Sequence, residues 1–392
     1  MNVVNKKNKQ RADFFMTYVT AVWLFVIALF SLPLQAAERQ DAFVQSVNIA
    51  DYVKASFNPS KEQTFSLPVS IADTVPADNV VIEIRTHDDD LIRTLPLKGV
   101  KPKEGIYPLV WDGRDSDKQL VPNEAYYPIL VVTDEKDKMF IDPRDYSGGE
   151  EVYDFDKNIA TKTIEYTLPV ASRMLVRSGI KNGPMLATIV DWAPRTAGFH
   201  AERWSGRDAD GVITIDQNPQ VGYLIIGYQL PDHSIITYGN DKENYRQYRE
   251  RKAWQIKKAN YENRLLERGD KLIRAEFYSP ILQQKSPRID VNLVDKKNRK
   301  PIETIQDFDE VLVEVKLNEF DEVYLDQERY EISFFVDNEF IAEEEQGFVP
   351  FTWRWSPGRF GIKSGDHVLT VNVSGYNGQV GVKNIPFMLL SK

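Results

Sequence analysis

The sequence predicts an all-β fold, built as tandem β-sandwiches with one helical insert between the second and third. Three observations predict it. Short runs that alternate apolar and polar residues recur along the chain, separated by turn residues about every 8–12 positions, the pattern of sandwich strands. A seven-residue string, Trp111-Asp-Gly-Arg-Asp-Ser-Asp117, returns 93 residues later as Trp204-Ser-Gly-Arg-Asp-Ala-Asp210. Each copy follows a Leu-Pro-Val at a similar distance (Leu67-Pro68-Val69 and Leu168-Pro169-Val170), so one small β unit occurs twice. Residues 241–268 alone break the strand texture, lacking Gly and Pro and rich in Glu, Lys, Arg and Gln.

The first repeat, 57–135, has candidate strands at Phe65–Ile71, Val80–Arg85, Leu91–Leu95, Gly105–Trp111 and Tyr126–Val132, with Asp88-Asp89-Asp90 as a turn. A polar, turn-rich linker spans 136–160. The second repeat, 161–240, opens at Ile164–Val170 and continues at Met174–Ile180. It turns at Asn182-Gly183, runs through Met185–Val190 and closes at Tyr223–Tyr228. In the segment 241–274, Tyr245, Tyr248, Trp254, Ile256, Tyr261, Leu265 and Leu266 recur at three- and four-residue spacings. They predict one helix over 241–268 capped by Gly269. The third module, 287–392, is β again. Val311–Leu317, Tyr330–Val336 and His367–Val373 are its clearest strands, and Asp337-Asn338 and Asn377-Gly378 its hairpin turns.

The N-terminus is read as a leader. Lys6, Lys7, Lys9 and Arg11 precede an apolar run from Phe14 to Leu34, closed by Pro33, Ala36 and Ala37. This predicts a signal peptide over 1–37, cut near Ala36 or Ala37, and a periplasmic or extracellular location. The alternative is an uncleaved membrane anchor, since the run is about long enough to span a bilayer. Residues 38–56 form an N-terminal segment before the first repeat. There is no cysteine, which excludes disulfides and thiolate metal sites. Four Lys/Arg and one Asp lie within 1–37, so 49 basic and 58 acidic residues become 45 and 57, a net of −12. That balance argues against nucleic acid, or a membrane surface after cleavage, as the partner.

The first repeat resembles the Ig-like repeat of the flagellar hook-capping protein. The similarity is carried by Phe57-Asn58-Pro59, Leu67-Pro68, Leu91-Ile-Arg-Thr-Leu95, Trp111-Asp-Gly-Arg-Asp115 and Val121-Pro122 followed by Tyr126. The second repeat resembles it less closely, with Ser205 after Trp204 and Ile215-Asp216 in place of Val-Pro. The third module is similar to a different bacterial Ig-like domain. The residues are Phe334-Phe-Val-Asp-Asn-Glu-Phe-Ile341, Pro350-Phe-Thr-Trp-Arg-Trp355 and Gly365-Asp-His-Val-Leu-Thr-Val371. Both resemblances imply tandem Ig-like β-sandwiches, and neither implies an activity.

Enzymatic motifs are missing from the sequence: there is no Gly-x-Ser-x-Gly and no phosphate-cradling Gly loop. The four histidines, His87, His200, His233 and His367, have no metal-ligand spacing. Asp208, Asp210 and Asp216 around Gly211 faintly resemble a calcium loop, but its last position falls on Gln217 and the first copy has Lys118 for Gly211. No catalytic residue, cofactor or metal is therefore expected. Two binding surfaces are candidates. From Glu243 to Arg268 there are eight Lys/Arg against four Glu. That stretch reads as a linker helix or as a docking surface for an acidic partner through Arg246, Arg249, Arg251, Trp254, Lys257 and Lys258. Trp353 and Trp355 lie two apart, on one strand face, and read as core or as a glycan-stacking platform, with Tyr126 and Tyr127 as further sugar-binding aromatics. The expected role is that of a non-enzymatic exported structural or protein-interaction protein, an accessory of a periplasmic or cell-surface complex. The alternative is a carbohydrate-binding accessory protein.

Overall fold

The computed structural model of the chain describes residues 47–52, 55–133, 138–253, 265–268, 271–274, 285–325, 329–376 and 378–391. The leader expected at 1–37, and Trp254, Lys257 and Lys258, lie outside them. The described residues form three β-sandwich modules, each with its own apolar cluster.

In module one, the strands Val47–Ile49, Phe65–Ile71 and Ile106–Trp111 make a three-stranded antiparallel sheet. Alternation explains its inner face: Phe65, Leu67, Val69, Leu109 and Trp111 are buried, while Ser66 and Val110 face water. The facing sheet has the order Ser56–Phe57, Ile235–Thr237, Ala125–Thr133, Val80–Arg85, Leu91–Pro96, and Lys138–Ile141 also pairs with Ala125–Thr133. It contributes Ile82, Ile84, Ile92, Tyr126 and Leu130 to the core.

This order corrects the expected end of the second repeat at 240. Strand Ile235–Thr237 pairs with Ala125 and Tyr126 and runs parallel to Ser56–Phe57, so the chain returns to module one after finishing module two. Apolar Ile235 fills the first core, Thr237 donates to Pro122 O at 2.8 Å, and Asn240 donates to Val121 O at 3.0 Å. These contacts satisfy polar groups that would otherwise be buried without partners.

Module two pairs Thr163–Leu168 with Gly198–Arg203 across from a sheet ordered Met185–Arg195, Ser172–Ile180, Val221–Gln229, Glu151–Val152. Glu151–Val152 comes from the segment read as linker. Module three packs Ile289–Asp295, Val311–Leu317 and Phe351–Trp355 against a five-stranded sheet ordered Thr304–Gln306, Val380–Leu390, Gly365–Gly375, Tyr330–Val336, Glu339–Glu344.

The predicted 241–268 helix is corrected to a helix α1 over Tyr245–Arg251. Asn244 caps it reciprocally, accepting from Gln247 N while the Gln247 side chain accepts from Asn244 N. Leu265–Arg268 pairs instead with Lys271–Arg274 as antiparallel strands, in register Leu265↔Arg274 and Arg268↔Lys271. Two four-residue runs flanking Gly-Asp are a hairpin signal, and that local pairing prevails over the helical spacing of Leu265 and Leu266. Gly269, the expected cap, is outside the described residues. A second helix, α2 (Glu319–Leu325), lies in module three, and its Phe320 packs against the core of module one.

Candidate docking surface at the inter-module helix and the repeated corner

The two copies of the Trp string fold nearly bond for bond alike. Trp111 Nε1 donates to Arg114 O at 3.0 Å, and Trp204 Nε1 to Arg207 O at 2.9 Å. Arg114 Nη1 donates to Lys118 O, and Arg207 Nη1 to Gly211 O. Asp115 accepts from the N–H groups of Asp117 and Gln119, and Asp208 from those of Asp210 and Ile213. Gly113 (φ 68°) and Gly206 (φ 79°) make the left-handed step that a Cβ would strain. A Cβ on Gly113 would also lie 2.3 Å from the Pro59 ring. Ser205 substitutes for Asp112 without loss, because its Oγ accepts the Arg207 N–H as Asp112 Oδ1 accepts that of Arg114. Lys118 (φ 63°) and Gly211 (φ 71°) share one backbone conformation. The string is thus a corner, and its first Asp is occupied by the local backbone.

In copy one, the remaining oxygens meet α1. Tyr248 donates to Asp115 Oδ2 at 2.8 Å, and Lys252 Nζ lies 2.7 Å from Asp115 and 2.6 Å from Asp117. The turn Asp88-Asp89-Asp90 faces the same helix. Tyr245 donates to Asp90 Oδ2 at 2.6 Å, and Arg249 grips Asp90 through Nε at 2.8 Å and Nη2 at 3.1 Å. Spacing explains the geometry: 245, 248 and 249 fall on one helix face, and all three are buried. Burial raises the Tyr245 and Tyr248 hydroxyls well above the ordinary tyrosine range, so both remain donors.

The opposite side of α1 reaches module three. Arg246 donates to Ser286 O at 3.0 Å and lies 3.5 Å from Asp321, at the start of α2. Arg288 bridges Asp321 and Glu250. Arg251 points outward, held by Glu243 at 2.7 Å. Of the three expected docking residues that are described, then, Arg249 and Arg246 are consumed by the chain's own carboxylates, and Arg251 is open to solvent. The acidic partner of the basic helix is internal.

Copy two is used in the same way by a different module. Asp210 accepts from Lys383 Nζ at 2.6 Å and from Asn384 N at 2.8 Å, and Asp208 accepts from Asn384 Nδ2 at 2.8 Å. Nearby, Met185 and Asn372 exchange two hydrogen bonds of 2.9 Å, and Arg177 donates to Gly378 O. Modules one and two are joined by a buried pair, Arg173 with Glu124 at 2.8 Å. Of the carboxylates that sequence spacing put near a calcium loop, Asp208 and Asp210 are latches between modules, while Asp216 lies 3.6 Å from Lys162 within its own module. Among the described residues no three His, Asp or Glu side chains group so as to hold a metal ion.

The acid sensitivity of the α1 clasp follows from Asp115. Burial pushes its carboxyl up, but hydrogen bonds from Lys252 and Tyr248 outweigh it and hold the group below the ordinary value of 3.8. A depressed carboxyl stabilises the fold above its unfolded pKa and loses that contribution as pH falls through the folded one. We expect hydrogen-exchange protection of Tyr248 and Arg249 amides to be flat from pH 7 to about 5 after correction for intrinsic exchange, then to fall below about pH 4. Asp115→Asn abolishes that step.

The aromatic glycan surface is corrected. Trp355 is fully buried, and Trp353 is half-buried between Trp355 (5.5 Å, stacked) and Phe334 (4.5 Å). Val311 and Val313 pair directly with them across the sheet, so their face is the sandwich core. Tyr126 and Tyr127 are fully buried too, Tyr126 donating to Pro122 O at 2.9 Å. His367 bonds Asp337 and Lys363 O, bracing a hairpin turn.

No family model and no curated protein matches the chain. The expected likeness to the hook-capping repeat is not shown by these comparisons. Solved structures that align include a calcium-stabilised adhesin that helps an Antarctic bacterium reach out and bind ice. It is 10% identical, covering 88% of this chain and 74% of that one, with a TM-score of 0.20. A 1.5-MDa bacterial ice-binding adhesin is 12% identical over 88% and 98%, with a TM-score of 0.20. Chicken CNTN1 FN1–FN3 domains are 8% identical over 88% and 97%, with a TM-score of 0.17. At such scores the alignments add nothing about this chain's role, and the all-β sandwich assignment rests on its own sheets.

Proposed function

We propose that the chain is an exported, non-enzymatic structural protein that works as a braced block of three sandwiches in an envelope or cell-surface assembly. The observation that supports this best is the use of both repeated corners. Their conspicuous carboxylates are bound by Lys252 in one copy and by Lys383 with Asn384 in the other, so the recognisable motif braces modules rather than meeting a ligand. Paired and buried polar groups at three inter-module contacts favour a fixed spacing between surfaces, which suits a scaffold. The leader-like sequence before the first module favours export.

The reading is tested in the producing cell by fractionation, N-terminal sequencing and sedimentation. The expected result is a chain outside the cytoplasm, beginning near Ala37, that sediments in a complex larger than itself. A full-length chain confined to the cytoplasm would overturn the export reading. An exported chain that stays free of any assembly would overturn the scaffold reading.

A further inference from the structure

We propose that the outer edge of the strand Val221–Gln229 in module two is a strand-addition site, at which two copies of this chain pair antiparallel through Val221–Ile226. The internal repeat points to it. Trp111 packs edge-on against Tyr126 (5.2 Å) in module one, and Trp204 against Tyr223 (5.7 Å) in module two. Tyr223 is therefore the counterpart of Tyr126. The outer edge at Ala125–Tyr126 is covered by Ile235 and Ile236, a strand that comes from beyond module two. In module two, Glu151–Val152 covers only Gly227 and Tyr228, and among the described residues no strand pairs with the outer side of Val221–Ile226. The same slot is filled in one copy and, among the described residues, left unpaired in the other.

The open edge has the hydrogen-bonding groups and the composition of a pairing strand. Gln229 bonds outward, with its N–H to Glu150 O at 2.7 Å and its carbonyl accepting from Gly149 N at 2.6 Å. Backbone groups alternate sides along an antiparallel strand, and the register with Ser172–Ile180 has no bulge on this strand's side. Ile225 and Tyr223 therefore present their N–H and C=O groups outward. Side chains of Tyr223 and Ile225 pack into module two, while Leu224 is 42% exposed. Val-Gly-Tyr-Leu-Ile-Ile carries no charge. Natural edge strands are usually guarded by charge, as Glu339–Glu344 is here by Glu339, Glu343 and Glu344.

A second copy is the occupant that fits. The filler in module one is an apolar, β-branched run of this chain, Ile235-Ile236, and the open edge offers the same in Ile225-Ile226. The chain carries a net charge of −9, so a like-charged copy is accepted best where the contact is uncharged. An antiparallel pair of identical strands has a two-fold axis, the commonest closed symmetry. Tyr223 then exchanges bonds with Ile225 of the second copy and Ile225 with its Tyr223, about four main-chain bonds in all. The axis passes beside Leu224, which faces its own counterpart. This proposal is independent of export and can fail without touching it.

The experiment is sedimentation velocity on the exported chain without residues 1–37, across micromolar concentrations. We expect a reversible dimer. Leu224→Lys and Leu224→Glu each set like charges directly opposite one another and weaken it at least about tenfold. An equimolar mixture of the two restores it through a Lys–Glu pair. A wild-type monomer at every concentration, a dimer unchanged in both variants, or a mixture that stays monomeric overturns the proposal. Hydrogen exchange of the wild type gives a test free of substitutions. Protection of the Tyr223 and Ile225 amides should rise with concentration, and protection independent of concentration means the chain covers its own edge and overturns the proposal.

Discussion

Replacing Arg249 with Ala is expected to cost about 3–5 kcal/mol of module-one stability, the range for stranding a buried charge. The guanidinium is 2% exposed and holds Asp90 with two nitrogens, with Asp88 at 3.8 Å. Without it, two buried carboxylates are left with Tyr245 and local donors. The penalty comes from the partners stranded, not from one lost attraction. Arg251→Ala, two residues and a little over half a helical turn away, removes an equal charge. Its head is 46% exposed and pairs with Glu243 in solvent, so the expected cost is about 0.5 kcal/mol or less. Guanidinium unfolding, with hydrogen exchange to assign the transition to module one, measures both. Equal costs would mean that α1 does not clasp the acidic turn and is only a surface helix.

That contrast shows where the sequence was readable. The basic stretch after Glu243 and the acidic turn at Asp88-Asp89-Asp90 are both conspicuous, and each is usually solvated when taken alone. Nothing local says that residues 155 or more positions apart satisfy each other, as Tyr245 and Asp90 do. The helical spacing of Tyr245 and Tyr248 was visible. The length of α1 was not, because Leu265 and Leu266 fit a helical period as well as a hairpin strand. Strand patterning gave the three modules, since alternation is a local consequence of having one wet and one dry face. It could not show that Ile235–Thr237 belongs to module one. A three-residue apolar run suits any open edge, and the choice of edge is tertiary. The corner's own fold was legible from its two copies: Trp, Gly, Arg and both Asp recur, and Trp, Arg and Asp115 or Asp208 make the same local bonds twice. What those Asp residues bind differs between copies, and a repeat reveals only what its copies share.

Trp111→Ala is expected to cost about 3–5 kcal/mol, and Trp204→Ala about 1–2 kcal/mol, although the two residues hold the same place in the same corner. Trp111 is fully buried and packs on Phe57 at 5.5 Å as well as on Tyr126, so its removal leaves a cavity in the largest described core. Trp204 is half-exposed and sits between two small clusters, where water can replace part of the ring. The indole donors lose equivalent bonds, so the difference reports burial alone. Consequences should spread unequally too. Module one receives Ser56–Phe57, Ile235–Thr237, α1 and Phe320 of α2, segments drawn from almost the whole chain. Loosening its core therefore unseats contacts contributed by every module. Limited proteolysis should cut Trp111→Ala near 235–253 under conditions in which Trp204→Ala resists there. If both variants lose the same stability and are cut alike, the corner carries equal weight in each module, and module one is not the body against which the others are braced.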